Sequence, residues 1–193
     1  MYHQQSTSAM KKSSYNQPKF SYFLKPVINT KPKEEFTPLL AYNYITGNNA
    51  KEATMKLRMI NDVKFARVFK AANFDYCTFS GLFRKRSDQA LISHSGLLCL
   101  DFDHLANVDE LRSQLLADDY FETVLLFRSP SGNGLKWVIE IDTSQASHAE
   151  YFRAVANYIK QAYSVEVDQS GKDISRACFL PHDPNCFLNP KFL

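Results

Sequence analysis

No run in the chain approaches the roughly eighteen consecutive apolar residues that a membrane span needs, and the opening Met1-Tyr-His-Gln-Gln lacks the apolar stretch of a secretory leader. Both absences point to a cytoplasmic protein with no membrane partner. Cysteine is sparse. Cys77, Cys99, Cys178 and Cys186 include no Cys-x-x-Cys pair, which speaks against a disulfide framework and suits a reducing compartment. Cys178, His182 and Cys186 are spaced as Cys-x3-His-x3-Cys, three zinc ligands without a fourth; the plainer reading is a buried thiol, a loop imidazole and a half-buried thiol. Acid is missing from residues 1–33, which carry six lysines, so the remaining residues hold 17 basic against 20 acidic side chains. A basic, Ser/Gln/Asn-rich leader ahead of a mildly acidic body fits a flexible N-terminal arm able to touch phosphates, or a plain solvated tail.

What is present is ordinary for a globular protein. At 193 residues, 45% hydrophobic and 13% aromatic, the chain suffices for one domain with a proper core. The prolines at 26, 32 and 38 place the arm at residues 1–37 and the domain at 38–193, with Tyr22, Phe23, Leu24, Val27 and Ile28 of the arm able to dock on the body. Apolar spacing between Asn48 and Ala72 predicts one or two helices capped by Asn48 or Asn49. Lys51, Lys56, Arg58, Lys64, Arg67 and Lys70 decorate them, as a phosphate-facing surface or a solvated face. Strands are expected over 77–83 and 90–93, with the basic Arg84-Lys85-Arg86 between them.

From Leu97 the order of elements becomes informative. Leu97–Asp103 reads as a strand, Asn107 with Glu110 as the capping box of a helix, and Thr123–Arg128 and Leu135–Ile141 as a hairpin around Ser129-Pro-Ser-Gly-Asn-Gly134. Ser147 with Glu150 opens a second helix reaching Tyr163, and Ser164–Asp168 reads as a fourth strand. The series predicts an α+β fold with an RRM-like, ferredoxin-like βαββαβ core and an N-terminal helical and strand extension. Its first and third strands are antiparallel neighbours, so Asp101 and Asp103 are expected beside Lys136. Alternation sets Leu98, Leu100, Phe102, Leu135, Trp137, Ile139 and Ile141 under the helices, leaving Cys99, Asp101, Asp103, Lys136, Val138 and Glu140 on a face free for a ligand or an added subdomain.

Two bare acids on one face repel, so they call for a cation or a raised pKa. Asp168, ending the fourth strand, could complete a three-carboxylate cluster, with Asp173 in reserve. Ser131, Gly132 and Gly134 allow close approach of an anion to the backbone, Lys136 adds a point charge, and Arg176 suits a bidentate phosphate contact. A hairpin turn and a surface ion pair are the plainer readings of these last features.

Asp101-Phe-Asp103, Ser131-Gly-Asn-Gly-Leu-Lys136 and Val167-Asp168 with Arg176 resemble the three signature motifs of the archaeo-eukaryotic primase (primase-polymerase) superfamily. The run from Ser95 through Trp137 to Ser175-Arg176 and Asp183-Pro184 resembles the VirE-type N-terminal domain, found ahead of helicase-like regions in mobile-element replication proteins; with Phe79-Ser-Gly81 the resemblance spans roughly residues 75–190. It implies template-directed nucleotidyl transfer in DNA replication, with Asp101, Asp103 and Asp168 holding two Mg2+ or Mn2+ ions about 4 Å apart. It also implies that Ser131, Gly132, Gly134, Lys136 and Arg176 grip a nucleoside triphosphate, that single-stranded DNA is the template, and that a helicase-like domain or protein is a partner. Lys136 stands where the superfamily has a histidine. That departure leaves a second reading, a catalytically inactive nucleic-acid or nucleotide-binding module of a replication protein.

Overall fold

The computed structural model describes residues 17–193. In chain order the elements are β1 (Phe20–Phe23), β2 (Glu34–Phe36), α1 (Pro38–Thr46), α2 (Lys51–Arg58), α3 (Val63–Asn73), β3 (Tyr76–Thr78), β4 (Gly81–Phe83), β5 (Leu91–His94), β6 (Leu97–Phe102), α4 (Val108–Leu116), β7 (Thr123–Arg128), β8 (Leu135–Glu140), α5 (His148–Tyr163), β9 (Cys178–Phe179) and β10 (Phe187–Leu188). The fold is mixed α+β. Its strands form a sheet ordered β10-β7-β8-β6, a second ordered β2-β1-β3-β9 and the hairpin β4-β5, all antiparallel.

The capping residues read from the sequence start their helices. Asn107 Oδ1 accepts from Glu110 N at 3.1 Å, and Ser147 and Glu150 form a reciprocal capping box. The caps further upstream differ from expectation. α2 starts after Ala50 with no side-chain cap, whereas α3 is capped by Asp62, which accepts from Phe65 N at 2.7 Å.

β6 and β8 pair in the expected register, with Leu98 opposite Ile139, Leu100 opposite Trp137 and Asp101 opposite Lys136. One face of this sheet packs Leu98, Leu100, Phe102, Trp137 and Ile139 against Leu111 and Leu115 of α4 and Phe152, Val155 and Ile159 of α5. The other face is not open. Leu97, Val124, Val138 and the partly buried Cys99 pack against Phe20, Tyr22, Cys77 and Cys178 of the second sheet and Phe79 just beyond β3. Being covered on both sides, β6 carries a near-continuous apolar run rather than strict alternation. Only its acid-bearing end escapes the cover.

Two boundaries shift. Residues 20–36, which the sequence assigns to the flexible arm, are folded: Phe20 and Phe23 are fully buried, and β1 is an inner strand between β2 and β3. The part of the arm carrying Lys11 and Lys12 lies outside the described residues. Ser164–Asp168, expected as the fourth strand, is extended chain making one backbone bond to β6, Asp168 N to Asp101 O at 2.9 Å. It leaves α5 through Ser164 in left-handed backbone, φ 56°, and the sheet is instead extended at its other edge by β10. The Cys178, His182 and Cys186 array does not converge. Cys178 Sγ faces Cys99 Sγ at 3.8 Å, His182 Nδ1 donates to Gly47 O at 2.7 Å and Cys186 Sγ lies 3.7 Å from Phe187 O. No helix among the described residues is long and apolar enough to cross a membrane.

A histidine relay holds the loop after Asp168. Gly96 N–H donates to His94 Nδ1 at 3.0 Å, which fixes the His94 proton on Nε2, directed at His148 Nδ1 at 3.1 Å. His148 then donates from Nε2 to Gly171 O at 3.3 Å. Both rings are neutral in this chain of bonds. Burial, with the neighbouring His148, brings His94 down to about 4, and burial also lowers His148 against the opposing pull of Gly171 O, Asp88 and Asp173. Because the unfolded imidazoles take up protons near pH 6.5 and the folded ones lower, the unfolded state binds more protons in that window. Unfolding free energy measured in urea is therefore expected to be flat above about pH 6.5 and to fall as pH drops toward about 5, with His94→Gln reducing that slope.

Candidate functional site

β6 supplies the first two acids. Asp101 is its penultimate residue and Asp103 follows its end, so alternation turns both to the face away from α4 and α5. The strand stops where it does because the β7–β8 turn closes on it. A Cβ on Gly134 would lie 2.1 Å from Phe102 O, and His104 then turns into left-handed backbone, φ 54°. Asp168 reaches the same place from a distant part of the chain. Its N–H bond to Asp101 O ties it to β6, while its carboxylate caps the single 3-10 turn Gln169–Lys172 by accepting from Ser170 N at 2.9 Å and Ser170 Oγ at 2.6 Å. One oxygen from each of Asp101, Asp103 and Asp168 lies within 4.8 Å of the other two.

Cations flank these acids. Lys136 Nζ forms an ion pair with Asp101 Oδ2, both side chains being largely buried. Arg176 Nη2 meets Asp168 Oδ2 at 3.1 Å. Burial pushes Asp168 up, but the Ser170 bonds and the charges of Arg176 and Lys136 outweigh it and hold the group below the usual carboxylate range. Burial pushes the Lys136 ammonium down, as do Lys70 and Arg176, against the opposing pull of the neighbouring Cys178 and Cys99 sulfurs. The second oxygen of the first acid, Asp101 Oδ1, is buried without a hydrogen-bond partner. A buried anionic acceptor left unmatched is costly, and two further carboxylates beside it make the set a fit for a hard divalent cation with oxygen ligands.

The acids form the floor of a cleft of about 700 Å3. Its basic lining comes from several elements: Arg58 of α2, Arg67 and Lys70 of α3, Arg86 of the β4–β5 connection, Lys136 and Arg176. Val63, Ala66, Arg67 and Lys70 of α3 all line it, a spacing of three and four residues that defines one helix face.

The sequence candidates fall into place unevenly. Asp101, Asp103, Asp168, Lys136, Arg176 and Ser131 all line the cleft. Gly132, at φ 85°, spends its N–H on Ser129 O at 2.9 Å, and its position is flanked by the Arg58 guanidinium. Gly134 packs on the end of β6. Both glycines thus serve turn geometry and the close approach of Arg58 and Phe102, while Ser131 and Asn133 present the turn to the cleft. Arg58 Nε donates to Pro130 O at 3.2 Å and its Nη2 to Ser129 O at 3.4 Å, clamping that turn. Asp173, the reserve acid, sits with His148 and not with the trio. His104 and Arg86 were not anticipated. His104 directly follows the acid pair, a signal that could have been read. Arg86 is placed by long-range contacts, Nε to Tyr76 Oη at 3.2 Å and Nη2 to Val27 O at 3.1 Å, that no local pattern encodes.

Residues 69–188, more than half of the chain, match the family described as BT4734-like, N-terminal domain. No curated protein matches the chain. Among solved structures, the polymerase domain from Mycobacterium tuberculosis ligase D in complex with DNA is similar at 16% identity with a TM-score of 0.37. The match covers 60% of this chain and 49% of that one, so the chain spans about half the length of the structure it matches.

The Asp101–Lys136 pair sets a stability test. Lys136→Met leaves a buried carboxylate uncompensated and is expected to lower the unfolding free energy by about 3–5 kcal/mol in metal-free buffer. Adding Asp101→Asn to it should recover part of that loss, read as a coupling in a double-mutant cycle by urea denaturation.

Proposed function

The chain belongs to the BT4734-like N-terminal domain family, and from that premise we propose that it is a primase-polymerase-like nucleotidyltransferase domain of a mobile-element replication protein, acting in DNA replication. The observation that carries this reading is the carboxylate trio with its unpartnered Asp101 Oδ1 on the floor of a cleft walled by six basic side chains. Acids that call for a cation and bases that call for phosphate share one space, as phosphoryl transfer requires. The order β6, α4, β7, β8, α5, with β6 and β8 adjacent, supports an RRM-like, ferredoxin-like palm in which Asp168 comes from the extended segment where the fourth strand would lie. The motif resemblance to the VirE-type and primase-polymerase families favours the same reading.

In this reading Asp101, Asp103 and Asp168 hold Mg2+ or Mn2+, which supplies activation of a 3′-hydroxyl and charge stabilisation of the departing pyrophosphate. The chain's own residues do the rest. Lys136 releases Asp101 Oδ2 and turns its ammonium to a phosphate oxygen within the cleft, a role open to lysine as a point charge. Arg176 exchanges Asp168 for a second phosphate oxygen, and the Ser131 hydroxyl donates to the same group; Gly132 and Gly134 position that turn. Arg58, Arg67, Lys70 and Arg86 neutralise the remaining phosphate charge and hold the single-stranded DNA template alongside. The protein works in the cytoplasm as one domain beside a helicase-like domain or partner.

A second reading has its own observation. Lys136 Nζ already neutralises Asp101, so the cleft could hold nucleotide or nucleic acid by phosphate contacts alone, as an inactive binding module. Incubation with Mn2+, a single-stranded template and labelled nucleotides separates the two. The first reading expects template-dependent products that fall to background in Asp101→Asn, Asp103→Asn and Asp168→Asn while oligonucleotide binding persists; no product from the wild type leaves the binding module.

A further inference from the structure

The helix that walls the cleft is unusual in what it fails to bury. α3 is eleven residues long, amphipathic, and has no buried residue. Beside it, Met59 is 80% exposed, and along it Val63 is 79%, Phe65 59% and Val68 65% exposed. Phe65 and Val68, three residues apart, share one exposed side of α3, while Val63 is on the cleft-lining side, and an exposed aromatic–aliphatic pair of this kind is a surface open to a partner. The charge around them is one-sided. Residues 51–73 carry Lys51, Lys56, Arg58, Lys64, Arg67 and Lys70 against Glu52 and Asp62. Lys64 and Arg67 are interleaved with Phe65 and Val68 on the same exposed helix. The ridge also runs into the cleft, because Val63 and Arg67 are exposed and line it as well.

We propose that the α2–α3 ridge is a docking platform for single-stranded nucleic acid, which it feeds into the cleft: unpaired bases rest on Phe65 and its apolar neighbours, and the sugar-phosphate backbone runs along Lys56, Lys64 and Arg67. An aromatic face interleaved with cations is the chemistry that binds unpaired strands with little sequence preference, since every base offers a face to stack and every step a charge to neutralise. A duplex, with its bases stacked inside, could use only the cations. An apolar protein partner would leave the excess positive charge without complement. The proposal rests on the reading of the cleft as a phosphoryl-transfer site for its direction of travel, though not for the contacts themselves.

The test uses the full chain and a fluorescently labelled oligo(dT) in anisotropy titrations across a salt series, with Mn2+ binding followed separately by electron paramagnetic resonance. Phe65→Ala is expected to weaken oligo(dT) binding by about ten-fold. The pair Lys56→Ala/Lys64→Ala should make the slope of log K against log salt shallower by about 1.4 for two lost single-strand phosphate contacts. None of these three side chains lines the cleft or is buried, so Mn2+ binding and the urea midpoint should not move. Wild-type affinity in all variants overturns the platform, as does equal affinity for a duplex of the same length. Failure of oligo(dT) to bind, with concentration-dependent self-association in sedimentation velocity abolished by Phe65→Ser, overturns it in favour of a protein interface. If Mn2+ fails to bind the wild type while Phe65→Ala still weakens oligo(dT), the cleft reading falls and the platform stands.

Discussion

A lysine and an aspartate facing one another across two central strands set the terms for the rest of this structure. Asp101 on β6 and Lys136 on β8 are opposite each other in the ladder, and both side chains are largely withdrawn from water. Removing two charges from water costs several kcal/mol each, and their attraction offsets this only when the remaining lone pairs and protons are matched as well. Here they are not all matched, because Asp101 Oδ1 has no partner. A fold assembled for stability alone would do better with two apolar residues of similar volume at these positions. On the proposed reading, a cation meets the unsatisfied oxygen of this central-strand carboxylate, and Asp103 and Asp168 lie close enough to share it.

The rest of the architecture explains how such a site stays rigid. Two antiparallel sheets press together over Cys99 and Val138, so the strand bearing the acids is fixed on both faces up to its last two residues. The cover is itself anchored from far along the chain. Asp75 accepts from Tyr22 Oη at 2.6 Å, from Tyr44 Oη at 2.8 Å and from Lys25 N at 2.8 Å, drawing the N-terminal strand, α1 and the end of α3 to one carboxylate. Burial and the Asp75 charge raise both phenols far above their usual range, so they remain donors. Asp168, by contrast, rests on a short loop pinned by the histidine relay and by Phe152 against Gly171.

The half of this organisation built from long, periodic elements was legible in the sequence. The apolar run of β6 ending on Asp101-Phe-Asp103, the hairpin of β7 and β8, the caps at Asn107 and Ser147 and the pairing of Asp101 with Lys136 all follow from period, caps and split βαβ topology. What escaped was short and long-range. β1, β3, β9 and β10 have two to four residues each, too few to show a period, and their partners lie dozens of residues away, as Tyr22 with Cys77 and Cys77 with Cys178. Prolines at 26 and 32 made the first of these look like tail. Without that sheet the second face of β6 seemed open, and Cys99 and Val138 looked like lining when they are core. The fourth strand was overread for the opposite reason: Val165 and Val167 supplied a strand-like alternation, but Ser164 turns the chain so that only Asp168 reaches the ladder.

The separation of acids from bases in the cleft has a consequence for how ligands would enter. Asp101 and Asp103 stand at the end of a strand covered on both faces, whereas much of the basic wall belongs to α2 and to α3, which has no fully buried residue and rests on its neighbours through the partly buried Ala66 and Phe69. Elements with few buried apolar contacts open at low free-energy cost, so the wall is the part of the cleft able to adjust. On the proposed reading, cation and phosphate would also act on one another through Lys136 and Arg176. Each of these side chains is paired with a carboxylate of the trio, and the proposed reading asks each of them to turn to a phosphate. On the proposed reading a divalent cation frees the two bases for phosphate, and a phosphate that takes the bases frees the acids for a cation. Because the coupling free energy is shared, the preference must run equally in both directions. The Lys136–Asp101 and Arg176–Asp168 ion pairs are then what the two ligands exchange for contacts of their own.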